Sequence, residues 1–183
     1  MKSTGIVRRI DDLGRIVIPK EIRRTLRIRE GDPMEIYTDS SGDIIFKKYS
    51  AIKEVSSFAA RYAEVLQKKV QLPIIISDCD HIVAVSGAAK REFLERRITP
   101  SVEDLMEMRI HYSSLETPGE KFLAIEGLEN EALCAFPIIS SGDVVGCVSI
   151  LKDPKTPLTE AEKKSKITLA EITAQFLGKH FED

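Results

Sequence analysis

Between Gly5 and Lys48 the apolar residues fall in short β-branched runs divided by turn formers, the mark of strands. Gly5 to Ile10 and Arg15 to Ile18 are two predicted strands, with Asp11, Asp12 and Gly14 supplying the turn. Pro19 opens a short helix reaching Ile28: proline suits a first helical turn because that N–H has no intrahelical partner, and Glu21 sits near the positive end of the dipole. Glu30, Gly31, Asp32 and Pro33 end it. Strands at Met34 to Thr38 and Ile44 to Lys48 follow, joined across Ser40, Ser41, Gly42 and Asp43.

Past Tyr49 the spacing changes. Ser50 is a plausible N-cap, and Ile52, Val55, Ala59, Tyr62 and Leu66 recur at three and four, predicting an amphipathic helix to about Lys69 with no flexible linker before it. Leu72 to Ser77 and His81 to Ser86, turning at Asp78, Cys79 and Asp80, read as a hairpin. A helix over Ala88 to Arg97 follows. A shorter one runs to Met108, with Ser101 and Asp104 at capping-box spacing. Lys121 to Ile125 is a predicted strand between loops. Leu133 to Ile139 and Val144 to Leu151 form a second hairpin, and Thr159 with Glu162 caps a last helix to about Leu177. In that helix Ile167, Ala170, Ala174, Leu177 and Phe181 make one stripe, and Leu169, Ile172 and Phe176 a second beside it. The second stripe either broadens the domain's own core face or, with the helix at 52–69, joins two copies in a four-helix bundle.

This order divides the chain into residues 1–50 and 51–183, an α+β protein. The first part is too short to cover strands that are apolar on both faces, such as Ile16 to Ile18 and Ile44 to Phe46. A second copy must supply the missing wall, so a homodimer through residues 1–50 is expected. If the bundle also forms, the assembly is a homotetramer whose paired heads gain affinity by acting together.

Charge separates the two parts further. Residues 1–50 hold 11 Lys/Arg against 8 Asp/Glu, whereas the rest holds 16 against 21. Six arginines lie between Arg8 and Arg27, and arginine favours bidentate contact with phosphate and guanine. Double-stranded DNA is the natural partner. Arg8 and Arg15 flank the first turn, Arg23 and Arg24 lie on the short helix, and Arg9, Lys20 and Arg27 are supporting phosphate contacts. A helix-turn-helix is excluded, because Gly31, Asp32 and Pro33 lead into strand rather than a recognition helix.

The run from Lys2 to Leu26, with Glu35 to Tyr37 and Ile44 to Tyr49, resembles the AbrB family of bacterial transition-state regulators. That resemblance implies a swapped-hairpin β-barrel completed only in the dimer, docking on DNA through Arg8, Arg15, Arg23 and Arg24. It also implies a regulator of sporulation genes, activating or repressing, located in the cytoplasm of the forespore. Residues 51–183, by element order and the run Ile138 to Gly146, resemble a GAF domain, an antiparallel sheet with flanking helices. The GAF likeness implies a cavity that holds an unidentified small-molecule effector or is filled by side chains; no other cofactor, metal or catalytic residue is expected.

Two other classes are weighed. A cysteine-dependent reductase of GAF fold would use Cys79, Cys134 or Cys147, but the last two sit in apolar runs, where cysteine behaves as a small buried hydrophobe. An antitoxin of AbrB type would carry a disordered tail, whereas this tail has folded periodicity. Nothing in the sequence is apolar for long enough to span a membrane, and the first predicted strand begins too early to leave room for a signal peptide.

Overall fold

The computed structural model describes residues 4–50, 52 and 56–181, and the chain divides into two compact units, Met1–Tyr49 and Ser50–Asp183. In the first unit Lys20–Thr25 form α1, with Pro19 at the N-cap. Arg27, at φ 50°, turns the chain out of the helix while the Ile28 N–H bonds back to the Arg23 carbonyl at 2.7 Å. The helix therefore ends short of the predicted Ile28. Strands β1 (Met34–Thr38) and β2 (Ile44–Lys48) pair antiparallel with Ile36 opposite Phe46. Lys48 Nζ ties this hairpin down, donating to the Arg27 carbonyl at 3.0 Å and pairing with Asp32 at 3.1 Å.

The turn at Asp11 to Gly14 forms, but its flanks differ from expectation: residues 5–10 and 15–18 are not strands in the single chain. A strand needs a hydrogen-bonding neighbour, and the sequence assigns that neighbour to a second copy. None of residues 4–50 is buried, and Val7, Leu13 and Val17 are 84%, 70% and 71% exposed.

The second unit is built on a five-stranded antiparallel sheet. Its strands are β3 (Ile74–Ser77), β4 (Ile82–Ser86), β5 (Tyr112–Ser113), β6 (Ala132–Ser140) and β7 (Asp143–Leu151), in the order β4-β3-β7-β6-β5. Both faces are covered, which explains the unbroken apolar runs of β3 and β6. On one face Ile74, Ile76, Phe136, Ile138, Val148 and Ile150 pack under α2 (Ser56–Val70) and α5 (Glu160–His180). On the other, Ile75, Val85, Ala135, Cys147 and Leu151 meet Phe93 of α3 (Lys90–Phe93), Val102, Leu105 and Met106 of α4 (Pro100–Met108), Tyr112 and Phe122. No helix of the described residues is long and apolar enough to cross a membrane.

Three local expectations change. The helix over 88–97 shrinks to the single turn of α3, because 95–98 pair instead with the edge of β4: the Glu95 N–H donates to the Ile82 carbonyl and the Ile82 N–H to the Arg96 carbonyl, both at 2.9 Å. Within the capping segment 99–101 the N-cap of α4 is Thr99, which places Ser101 inside the helix rather than at the head of a box with Asp104, and the Thr99 hydroxyl donates to the Leu123 carbonyl at 2.6 Å. Lys121 to Ile125 form isolated bridges, Leu123 to Glu131 and Ile98 to Ile125, instead of a strand. Of the helix start expected just after Ser50, residues 51 and 53–55 lie outside those described.

Helix α5 begins at the capping box read from the sequence. The Thr159 hydroxyl accepts from the Glu162 N–H, and the Glu162 carboxylate accepts from the Thr159 N–H at 2.8 Å. The Thr159 N–H, and then the Thr159 hydroxyl donating to the same carboxylate oxygen at 2.8 Å, hold the Glu162 carboxyl below its usual pKa. Thr159→Ala is expected to destabilise the second unit by about 1 kcal/mol, read as a lower melting temperature. An unchanged melt would show that the cap contributes nothing.

Candidate nucleic-acid interface

Seven basic side chains of the first unit were candidates, and six of them, Arg8, Arg9, Arg15, Lys20, Arg23 and Arg24, are exposed. Arg27 is half-buried at the exit of α1, where its carbonyl holds Lys48. It therefore closes the helix as well as carrying charge. Lys20 and Arg24 stand one helical turn apart on α1, and Arg23 and Arg24 occupy its last turn, where cations suit the negative end of the dipole. Among the described residues no carboxylate pairs with Arg8, Arg9, Lys20, Arg23 or Arg24. Their charge is available to an anionic partner.

Arg15 is different. Asp11 Oδ1 accepts the backbone N–H groups of Leu13 and Arg15 at 3.0 and 2.7 Å, and Oδ2 accepts Arg15 Nε–H at 2.8 Å. The chain is closed by the Asp11 N–H on the Arg15 carbonyl and the Gly14 N–H on the Asp11 carbonyl, both at 3.1 Å, and Gly14 takes the φ of 75° that this turn requires. The Arg15 backbone bond, and then its guanidinium, hold the Asp11 carboxyl below its usual pKa. Residue type and charge do not nominate this aspartate; its spacing of four from an arginine across a glycine turn is the signal the sequence carries.

Burial weakens the alternative chemistry of the second unit at two of its three cysteines; Cys79 is exposed. The Cys134 and Cys147 thiols are fully enclosed, and desolvation pushes Cys147 up to about 12 and Cys134 higher. A thiol kept protonated is a poor nucleophile.

A unit with no core of its own, exposing unpaired arginines, joined to a sheet domain defines a DNA-binding regulator with an accessory domain. Comparison with known proteins gives the same class. Residues 54–182 match the family model described as stage V sporulation protein T C-terminal, transcription factor, and residues 7–54 match one described as antidote-toxin recognition MazE, bacterial antitoxin. Stage V sporulation protein T of Bacillus subtilis is 44% identical over the whole of this chain and 99% of its own length. The transition state regulatory protein AbrB of the same organism is 65% identical over 27% of this chain and 50% of its own. The chain belongs to the stage V sporulation protein T family, and it is a DNA-binding regulator of sporulation transcription.

Solved structures align with each part. The solution structure of the AbrB N-domain is 65% identical over 27% of this chain and 92% of its own, with a TM-score of 0.25. A GAF domain/HD domain protein from Geobacter sulfurreducens covers 74% of this chain and 99% of its own at 19% identity and a TM-score of 0.48.

Proposed function

We propose that Arg8, Arg15, Arg23 and Arg24 hold the duplex, mostly through phosphates with some reading of base edges or groove shape, and that Arg9, Lys20 and Arg27 support them. A homodimer through residues 1–50 presents two such sets to two-fold related half-sites. The observation that carries this reading is the first unit itself: it buries none of its described residues yet exposes Val7, Leu13, Val17 and Ile36 alongside the arginines. A second copy of the chain is the occupant that fits, since Val7 and Val17 lie on the β-branched runs, 5–10 and 15–18, that form no strand in the single chain.

A second surface supports a tetramer. The first stripe of α5, Ala170, Ala174 and Leu177, is buried on the sheet, while Ile172 and Phe176 of the second remain exposed. Phe176 stacks with Tyr62 at 5.1 Å between ring centroids, and Phe58 stacks with His180 at 4.0 Å, so α2 and α5 present one aromatic seam. Packing that seam against its copy makes the bundle, and the two pairs of heads then bind with avidity. We read the second unit as regulatory rather than enzymatic. Its far face is occupied by Phe93, Met106, Tyr112 and Phe122, which a small-molecule effector would have to displace. Because a sporulation regulator works where its DNA lies, we assign the protein to the cytoplasm, and within it to the forespore.

Duplex titrations of the full chain across salt concentrations test the proposal, with sedimentation alongside. Binding that weakens steeply with salt, at a mass near four chains, is the expected result. No binding at low salt would overturn the interface, and a mass near two chains would overturn the tetramer.

A further inference from the structure

The first unit contains the same five-residue turn twice. At Asp39 to Asp43, as at Asp11 to Arg15, the first aspartate's Oδ1 accepts the N–H groups of the third and fifth residues, here Ser41 and Asp43 at 2.9 and 3.0 Å. The Asp39 N–H reaches the Asp43 carbonyl at 3.2 Å and the Gly42 N–H reaches the Asp39 carbonyl at 3.1 Å, with Gly42 at φ 87°. The backbone bonds match one for one. The side chains differ: Asp12, Leu13 and Arg15 of the first turn are Ser40, Ser41 and Asp43 in the second, where the Ser41 hydroxyl also donates to Asp39 Oδ1 at 2.7 Å.

The second turn shows that this geometry needs neither an arginine nor a second carboxylate oxygen. The Asp11 Oδ2 to Arg15 Nε bond is therefore additional to the turn. It fixes the guanidinium from its Nε edge and leaves the four N–H donors of the two Nη groups uncommitted. The Arg15 side chain is still 69% exposed, so those donors face outward. Two donors side by side match a phosphate or the paired acceptors of a guanine edge.

We propose that Asp11 is a positioning residue for DNA recognition, holding Arg15 through Nε so that its two Nη groups meet the duplex as a fixed fork. This rests on the reading of Arg15 as a DNA contact. A negative charge within a DNA-binding surface otherwise only repels phosphate, so its removal ought to strengthen binding to every sequence. Positioning gives the opposite sign for a preferred sequence, because a released side chain must be ordered again on binding.

The test uses the full chain with two duplexes of equal length: one recovered by in vitro selection with the wild-type protein and a scrambled version. Asp11→Asn keeps an oxygen for the turn's N–H groups but loses the charge facing Nε. It is expected to lower discrimination between the duplexes about tenfold, counting both copies in a dimer, with scrambled-duplex affinity equal or higher. Asp39→Asn, the same change in the twin turn, leaves discrimination intact. Arg15→Lys keeps charge and turn but has no fork; it gives a similar loss, and Asp11→Asn adds nothing to it. Undiminished discrimination in Asp11→Asn, or in Arg15→Lys should the first variant fail to fold, overturns the positioning role. Undiminished discrimination in Arg15→Ala overturns the reading of Arg15 beneath it.

Discussion

Replacing Arg23 and Arg24 together with alanine lowers the affinity of the full chain for DNA by a hundredfold to a thousandfold at low salt, about 1 kcal/mol for each of four contacts in a dimer. The effect is large because each substitution is made twice in the proposed dimer. It also carries a signature: the slope of log affinity against log salt becomes shallower by roughly three to four, since about 0.9 of a counterion is released per neutralised phosphate. Folding should be preserved. Both side chains are exposed on α1, and alanine is the better helix former, which offsets the lost interaction with the helix dipole. Titration across salt, with circular dichroism of the same samples, checks the expectation. An unchanged salt slope in a folded variant would remove α1 from the interface.

The second large effect lies far from any arginine. Gly178 is inside α5, where a Cβ would sit 2.1 Å from the carbonyl oxygen of Ile139 and 3.0 Å from its carbon. Alanine in a helix interior normally gains about 1 kcal/mol over glycine. Here the obstacle is backbone, with no rotamer to swing aside, so helix and strand must separate. Overpacking of this kind costs typically about 1–3 kcal/mol and sometimes more, and it acts where Ala174 and Leu177 seat α5 on the sheet. Gly178→Ala is expected to lower the melting temperature by roughly 5–10 °C. A melt equal to or above the wild type would mean that the close approach is not a constraint.

The same glycine shows where sequence reasoning stops. The last helix, expected to about Leu177, runs through Gly178 to His180. The smallness of Gly178 is required by a strand that is distant in sequence. The helix expected over 88–97 fails for a related reason: its local pattern is helical, but Glu95 and Arg96 find partners on Ile82 that no local pattern reveals. Signals confined to neighbouring residues were legible, as at Thr159 with Glu162 and in the hairpins around Cys79 and Gly142. At the candidate site, residue type and charge were enough to nominate the arginines. That Arg27 closes α1 from a left-handed backbone conformation, and that Asp11 grips Arg15, depended on dihedral angles and side-chain direction that composition does not encode.

A head with no interior of its own also has a consequence for dosage. If two chains must meet before either head has a core, the amount of competent protein grows faster than linearly with the amount made, until pairing saturates. Below that level the unpaired heads lie open to proteases and bind little; above it they become resistant and active together. Regulation then rises more steeply than expression does, about fourfold for each doubling while pairing is far from saturation.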